Sequence, residues 1–248
     1  MEPKPPGWDV RYANVFQEPD VVASYPYRPP YPQATLDELA RIAAAGAVVD
    51  AGCGTGELAR RLEVARVDAV DISAPMLALA QTLPGADHVR WIHGGIEDAP
   101  LDPPYDLVVA GDSVHWFDWA RALPRIFELA PQFAVVTRNW FKGDDDLVAR
   151  LRPVWSAHSW NTDFKPLDPI AELEARRLLR VVDRFESERQ AWRPTQDEIV
   201  GLHFSQSGFA RERLADPDAF ERDLREALGP EPYELGVSGA IALTAPVA

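Results

Sequence analysis

Residues 48–56 read VVDAGCGTG, a short apolar run that ends in an aspartate and passes into glycines at alternate positions. A glycine-rich turn between a strand and a helix bends the backbone tightly and lets a ligand approach the main chain. We predict the strand at 47–51 and the helix at 56–64. Three alternate glycines exceed what a plain turn needs, so the pattern predicts a nucleotide-type site built on Gly52, Cys53, Gly54 and Gly56. We interpret Cys53 as a small packing residue of this loop and not as a nucleophile.

Short apolar runs and amphipathic stretches alternate from this loop to about residue 140. The further strands are predicted at 67–72, 89–92, 105–110 and 133–137, and the helices between them at 74–83 and 119–130. Strands that alternate with helices at this spacing indicate a parallel sheet of βαβ units. The alternation therefore predicts an α/β fold.

The segments on either side of this region differ in character. The first 34 residues are rich in proline, which favours extended or turned backbone, and we expect an N-terminal arm or lid. A helix is predicted from Thr35 to Ala45, because Thr35 and Glu38 have the spacing of a capping box. Beyond residue 140 we predict helices at 170–179, 195–204 and 217–228 and strands at 184–192 and 233–245. The chain is thus divided into an arm (1–34), a core (35–140), a cap insert (141–180) and strands and helices that complete the sheet (181–248).

Composition limits the possible partners. The 248 residues include 39 acidic and 25 basic side chains, for a formal net charge of −14. Because such a protein repels phosphate backbones, we expect neither nucleic acid nor an anionic membrane as a partner. A single cysteine and histidines without metal-ligand spacing predict no disulfide and no metal. The N-terminus lacks the apolar core of a signal peptide, so a cytoplasmic location is expected.

The glycine spacing and the nearby acids indicate which nucleotide is bound. A dinucleotide site has the pattern GxGxxG and places a helix N-terminus against a pyrophosphate, whereas the spacing here is GxGxG. The carboxylates of Asp50 and Glu57 would repel a pyrophosphate, whereas they would attract a ligand with a positive centre. Asp71 ends the second predicted strand, about 20 residues after Gly52, where a carboxylate reaches ribose hydroxyls. The residues therefore predict a ligand with a ribose, an adenine-like base and a cationic end.

Residues 48–56 resemble motif I of the class I S-adenosylmethionine-dependent methyltransferases. The segments 94–101 and 105–118 resemble the stretches that follow the third and fourth strands of that family, the latter in a His-Trp-Phe-Asp form. In this form the segment is similar to the small-molecule branch of the family, which includes the trans-aconitate and ubiquinone/menaquinone methyltransferases. The likeness is specific over 45–140, and weaker for 28–32 and 204–209. Gly95 replaces the family's usual acid, so that side chain's contribution is absent.

The resemblance implies a Rossmann-like, seven-stranded, mostly parallel sheet with helices on both faces and a small cap. It also implies S-adenosylmethionine as the cofactor, S-adenosylhomocysteine as the product, and a small-molecule substrate. Besides Asp50, the loop residues and Asp71, the implied cofactor-binding residues are Arg28, Tyr31, Ile72, Met76, Ile96, Glu97, Asp112 and Ser113. Arg28 would bind the methionine carboxylate, and a plain surface arm without contact to the cofactor is the alternative.

The acceptor side is less determined by the sequence. His115 follows the fourth strand and is the candidate catalytic base, with packing against Trp116 as the alternative. We expect the acceptor under the segment 140–180, with Trp155, Trp160 and Phe164 as walls and His158, Asn161 and Asp163 as polar contacts; a core role for the tryptophans is the alternative. Two other functions stay open: non-methylating chemistry on the same cofactor, by intramolecular displacement, and cofactor binding without catalysis.

Overall fold

A computed structural model describes residues 3–8, 10–163 and 168–247 of the chain. Within them, eight strands form one sheet: β1 (Ala47–Ala51), β2 (Arg66–Asp71), β3 (Val89–His93), β4 (Leu107–Gly111), β5 (Phe133–Trp140), β6 (Arg180–Glu186), β7 (Gln190–Trp192) and β8 (Leu235–Ala245). The spatial order is β3-β2-β1-β4-β5-β8-β6, and β7 pairs with β8. The pairs among β1 to β5 are parallel, whereas β8 runs antiparallel to its neighbours. The predicted Rossmann-like, mostly parallel sheet is confirmed.

The strand count exceeds the predicted seven because the segment predicted as one strand at 184–192 is divided. Ser187 interrupts it: its amide donates to the Gly239 carbonyl, and its hydroxyl, not a backbone carbonyl, accepts the Gly239 amide. A side-chain hydrogen bond thus replaces one of the backbone hydrogen bonds that would pair this segment with β8, and β6 and β7 are separate strands.

Helices cover both faces of the sheet. They are α1 (Val10–Ala13), α2 (Pro19–Ser24), α3 (Gln33–Ile42), α4 (Ala74–Ala80), α5 (Trp119–Leu129), α6 (Asp145–His158), α7 (Pro169–Ala175), α8 (Gln196–Phe204) and α9 (Pro217–Leu228). Alternate strand residues face opposite ways, so Val48 belongs to the apolar cluster that includes α3, while Val49 belongs to the cluster on the other face, which includes α5 and α7. Both faces are therefore buried, which explains why β1 and β4, in the middle of the sheet, are almost entirely apolar.

Two local predictions were wrong for identifiable reasons. Residues 56–64 form irregular turns without a regular helix. In a helix the Ala59 amide would donate to the Thr55 carbonyl. Here the Ala59 amide donates to the Asp50 carboxylate instead, and the Thr55 carbonyl accepts from the Arg60 guanidinium. The predicted capping box at Thr35 is also absent. Helix α3 begins at Gln33, and the Thr35 hydroxyl is buried with no hydrogen-bond partner among the described residues.

The segment 141–180 is divided between two parts of the molecule. Helix α6 shares an apolar core with α8 and α9, where Leu151, Leu202 and Phe220 are buried together. Helix α7 instead packs on the sheet through Ile170 and Leu173. The helical cap is therefore formed by α6, α8 and α9, and not by one continuous insert.

The N-terminal segment, defined here as residues 3–8 and 10–32, is folded and packed. Val15 and Val21 are buried with Met76 and Ala210 in a fourth apolar cluster, and Trp8 is buried against Trp119 of α5. No helix in the described part of the chain is long and apolar enough to cross a membrane.

Candidate functional site

A cavity of about 610 Å³ lies where β1, β2 and β4 end, at their carboxyl edge. Its wall combines the loops after β1, β2, β3 and β4 with the start of α5 and the N-terminal segment. Most of the predicted cofactor residues line it: Arg28, Gly52, Gly54, Asp71, Ile72, Met76, Ile96, Glu97, Asp112 and Ser113. Tyr31, Asp50, Cys53, Gly56 and His115 are not among the lining residues.

The glycine loop needs glycine because of both conformation and space. Gly52 has φ +67°, and a Cβ there would lie 2.7 Å from the Cβ of Ser113. The Ser113 hydroxyl donates to the Ala51 carbonyl at 2.8 Å, so Ser113 is fixed in this place. Gly54 has φ +55° and lies against the ring of Tyr25. A side chain at either position would strain the loop and fill the space between it and the opposite wall.

Three predicted residues support the loop from outside the cavity wall. The buried Asp50 carboxylate accepts the Ala59 amide at 3.1 Å, and burial raises the pKa of Asp50 to about 7. Cys53 packs in the core that also contains Leu58, and burial raises the pKa of its thiol, as the packing interpretation implies. A Cβ on Gly56 would lie 2.4 Å from the Trp91 ring. These residues shape the turn without facing the cavity.

Asp71 faces the cavity and fixes the loop at the same time. One carboxylate oxygen accepts the Gly54 amide and the other accepts the Ser73 amide, each at 2.7 Å. Burial raises the pKa of Asp71 while these two backbone amides lower it. Each oxygen has a further lone pair, so this carboxylate can also accept from two ligand hydroxyls.

The neighbouring wall is apolar with one further carboxylate. Ile72, Ile96 and Met76 line it, and Met76 also packs on the N-terminal segment. Glu97 accepts the Asp118 amide at 3.0 Å, which joins the loop after β3 to the start of α5. These side chains form a surface suited to a flat heterocycle with polar edges.

Asp112 connects three parts of the chain at the end of β4. It has φ +51°, a conformation that non-glycine residues seldom adopt. Its carboxylate accepts the Arg138 amide at 3.1 Å and the Tyr31 hydroxyl at 2.9 Å. Burial and the nearby Asp112 charge raise the pKa of Tyr31 well above its usual range. Tyr31 therefore acts on the cavity through Asp112.

Arg28 brings a guanidinium group to the cavity. It donates to the Ser205 hydroxyl and carbonyl and to the Tyr25 hydroxyl. Burial lowers the pKa of Arg28. Among the described residues no carboxylate forms an ion pair with it, so its charge is available to an anionic ligand group.

His115 packs between aromatic rings. Its ring centroid lies 5.7 Å from that of Trp8 and 4.3 Å from that of Trp116. Burial, helped by the charges of Lys4 and Arg28, lowers the pKa of His115 to about 3. A group with this pKa is a weak base near neutral pH. The packing alternative fits this geometry better, and the catalytic role stays a prediction.

Sequence reasoning missed several residues of the wall, mainly in the N-terminal segment: Lys4, Phe16, Gln17, Tyr25 and Trp116. Gln17 donates to the Ile72 carbonyl at 3.1 Å, and the Phe16 carbonyl accepts the Ser73 hydroxyl at 2.7 Å. These contacts close the N-terminal segment over the end of β2. Of the N-terminal segment, only Arg28 and Tyr31 were predicted from the sequence to bind the cofactor.

The residues predicted to form the acceptor pocket are dispersed. Trp155 packs in the helical cap beside His203, with ring centroids 5.8 Å apart. Trp160 packs on Tyr12, with ring centroids 4.9 Å apart. Neither lines the cavity. His158 pairs with Asp223, the Asn161 amide donates to the Gly7 carbonyl, Asp163 accepts from Tyr12, and Phe164 lies outside the described residues.

The wall combines carboxylates, apolar surface and the guanidinium groups of Arg28 and Arg121, of which the latter is paired with Asp98. This combination suits a nucleoside with an amino-acid end. No group of three or more potential metal-ligating side chains occurs within the described ranges.

Comparison with known proteins identifies the domain. Residues 48–131 match the family described as a methyltransferase domain. These residues belong to a class I S-adenosylmethionine-dependent methyltransferase domain. A methyltransferase of Mycobacterium tuberculosis is 42% identical to the chain over 83 residues, which are 32% of this chain and 42% of that protein. A malonyl-[acyl-carrier protein] O-methyltransferase of Pectobacterium atrosepticum is 39% identical over 93 residues, 36% of each chain. The matches thus span less than half the length of these relatives.

Solved structures extend the likeness of the methyltransferase domain to the rest of the fold. A protein from Anaeromyxobacter dehalogenans, described as a type II methyltransferase, is 28% identical with a TM-score of 0.61 and covers 89% of this chain and 97% of its own. The [4+2]-cyclase SpnF is 17% identical with a TM-score of 0.55, and the match covers 99% of both chains, which shows a shared fold. The assignment of residues 48–131 to the S-adenosylmethionine-dependent methyltransferases is confirmed, whereas the small-molecule branch of the family stays a prediction.

Proposed function

We propose that this protein transfers the methyl group of S-adenosylmethionine to a small-molecule acceptor. One observation carries the proposal: the Asp71 carboxylate, the glycine loop and the Arg28 guanidinium line a single cavity at the carboxyl edge of the sheet. The carboxylate matches the ribose of this cofactor and the guanidinium matches its amino-acid carboxylate, while the glycine loop lets the cofactor approach the main chain.

The residues present fit the cofactor. Asp71 would accept from the ribose hydroxyls, and Arg28 would pair with the amino-acid carboxylate. Ile72 and Ile96 would cover the faces of the adenine, and Glu97, which lines the same wall, would meet its polar edge. A Cβ on Gly52 would fill the cradle next to Ser113, so the loop keeps this space open.

S-adenosylmethionine supplies a methyl group on a sulfonium, which leaves as a neutral thioether when the acceptor attacks. The protein's contribution is to orient the acceptor in line with the methyl group and to exclude water. The half-buried aromatic wall formed by Phe16, Tyr25 and Trp116 serves the second purpose. Asp112 and Ser113, at the end of β4, hold the loop that faces the reacting groups.

The acceptor is proposed to be small because the cavity must hold both cofactor and acceptor. The net charge of −14 favours a neutral or cationic acceptor over a phosphorylated one. Two relatives are named as malonyl-[acyl-carrier protein] O-methyltransferases. An acceptor screen should therefore include short acyl groups, both free and attached to a carrier protein.

The test has a binding arm and a product arm. Calorimetry should show binding of S-adenosylmethionine and S-adenosylhomocysteine, and no binding of NAD. Mass spectrometry of reactions with an acceptor library should detect S-adenosylhomocysteine together with an acceptor in which one methyl group has replaced a hydrogen. Formation of methylthioadenosine would instead establish intramolecular displacement, and binding with no product from any acceptor would favour a cofactor-binding protein. Absence of binding to both S-adenosyl compounds would refute the proposal.

A further inference from the structure

Ser205 lies directly after α8 and contacts Arg28 twice. Its side chain is fully buried. The Ser205 hydroxyl donates to the Leu202 carbonyl at 2.6 Å, which leaves its oxygen free to accept from Arg28 Nε at 2.9 Å. The Ser205 carbonyl accepts from Arg28 Nη2 at 2.6 Å. Both contacts use one side of the guanidinium, the side formed by Nε and Nη2.

The remaining donors of Arg28 are limited in number and place. Nη1 donates to the Tyr25 hydroxyl at 3.1 Å, and the guanidinium lies over the Tyr25 ring at 4.0 Å. A guanidinium has five N–H groups, one on Nε and two on each terminal nitrogen. After these three bonds, one N–H remains on Nη1 and one on Nη2. Two adjacent donors are what a carboxylate with two oxygens accepts.

The docking of α8 makes this arrangement rigid. A Cβ on Gly201 would lie 2.2 Å from the Tyr27 ring, so the absence of a side chain there lets the turn formed by Tyr25–Tyr27 rest directly on the helix. The Ser205 amide is bonded to the Gly201 carbonyl, which fixes the end of α8. The position of Ser205 is thus set before any ligand binds.

We propose that Ser205 is a positioning residue that occupies the Nε side of Arg28 and thereby presents its two terminal nitrogens to the carboxylate of the cofactor. The inference rests on the proposed function, because it assumes a ligand with an amino-acid end. It assigns a role to the segment 204–209, which the sequence had related only weakly to the family. Ser205 does not touch the ligand and acts through Arg28 alone.

The experiment compares two ligands that differ only in the carboxylate: S-adenosylhomocysteine and its decarboxylated analogue. Ser205→Ala removes the hydroxyl that accepts from Arg28 Nε and leaves only the bond from Nη2 to the backbone carbonyl, so affinity for S-adenosylhomocysteine should fall about 5- to 20-fold. Affinity for the decarboxylated analogue should change less than about two-fold, and Ser205→Thr, which keeps the hydroxyl, should restore part of the loss. Ser207→Ala is the matched control, because Ser207 bonds to Trp160 through its backbone carbonyl.

A double-mutant cycle separates positioning from a general structural effect. Lysine has neither an Nε–H nor a planar fork for the Ser205 hydroxyl to orient, so Ser205→Ala should have little further effect on S-adenosylhomocysteine affinity in an Arg28→Lys background. Equal losses for both ligands, or full additivity with Arg28→Lys, would overturn the role of Ser205. Wild-type protein that binds neither ligand would refute the proposed function itself, and that outcome is distinct from the other two.

Discussion

The Asp71 carboxylate accepts the Gly54 amide at 2.7 Å, so the end of β2 holds the loop that follows β1. The second Asp71 oxygen accepts the Ser73 amide, which fixes the start of α4. One side chain therefore sets the spacing of two loops on the cavity wall. Both oxygens keep lone pairs for a ligand, so the group that shapes the site is also the group proposed to bind the ribose.

Asp71→Asn is expected to weaken S-adenosylhomocysteine binding about 10- to 100-fold, because it removes a charge-assisted acceptor and turns one position into a donor. The amide would also face a backbone N–H at Gly54 or Ser73. Calorimetry measures the effect, with Asp87→Asn at an exposed position as the control. Unchanged affinity in Asp71→Asn would remove Asp71 from the ribose site.

Gly52→Ala is expected to destabilise the protein and to abolish measurable cofactor binding. The left-handed φ of Gly52 costs an alanine about 1–2 kcal/mol, and its Cβ would lie 2.7 Å from that of Ser113. Gly143 has φ +80° and only ordinary contacts with Arg189, so Gly143→Ala should show the conformational cost alone. Thermal unfolding and calorimetry on both variants separate the two effects. Equal behaviour of the two variants would contradict the requirement for space at Gly52.

The sequence was sufficient where local pattern determines structure. Alternating strands and helices predicted the central sheet. The spaced glycines after β1 and the acid at the end of β2 predicted the part of the cavity wall that contains Gly52, Gly54 and Asp71. It was insufficient where distant residues compete with local pattern. The bond from Ala59 to Asp50 replaces a helical bond, and the contact of Tyr31 with Asp112 joins residues far apart in the chain. Neither the packing of the N-terminal segment nor the sharing of one core by α6, α8 and α9 has a local signature.

His203 is expected to make the protein less stable in mild acid. It is fully buried among aromatic rings, and burial lowers its pKa from 6.5 to about 4. The folded protein keeps His203 neutral, so the free energy of unfolding does not depend on this group above pH 6.5. As the pH falls from 6.5 towards 4, the unfolded chain binds a proton that the folded protein does not, and the free energy of unfolding decreases. At pH 5 this amounts to about 2 kcal/mol.

Denaturant unfolding of wild-type protein and His203→Phe between pH 8 and pH 5 measures this effect. The variant should lose less stability over this range than the wild type. Asp50 acts in the opposite direction in both proteins, because burial raises its pKa to about 7, and the comparison cancels its contribution. Parallel curves for the two proteins would show that His203 does not titrate in this window.

Cofactor binding is expected to slow hydrogen exchange in the N-terminal segment. Phe16, Gln17, Tyr25 and Arg28 line the cavity, so an occupied site adds contacts to residues 13–28. Exchange measured with and without S-adenosylhomocysteine should slow there, while the amides of α9, which contributes nothing to the wall, keep their rates. Protection of α9 alone, or of neither segment, would be inconsistent with closure of this segment over the cofactor.

Substitution of Trp155 tests whether the helical cap binds the acceptor. Trp155 packs with Leu151 and Phe220 in the shared core of α6, α8 and α9, and does not line the cavity. Trp155→Ala should therefore lower the free energy of unfolding by about 3 kcal/mol, which corresponds to about 6–12 °C in Tm for a chain of this size. The cofactor Kd and the acceptor KM should stay close to the wild-type values at a temperature where the variant is folded. Trp116→Ala is the matched comparison, because Trp116 lies on the cavity wall, and it should change acceptor KM with a smaller loss of stability. If instead Trp155→Ala shifted acceptor selectivity and left Tm unchanged, the acceptor would have to be placed under the segment 140–180, as the sequence alone suggested.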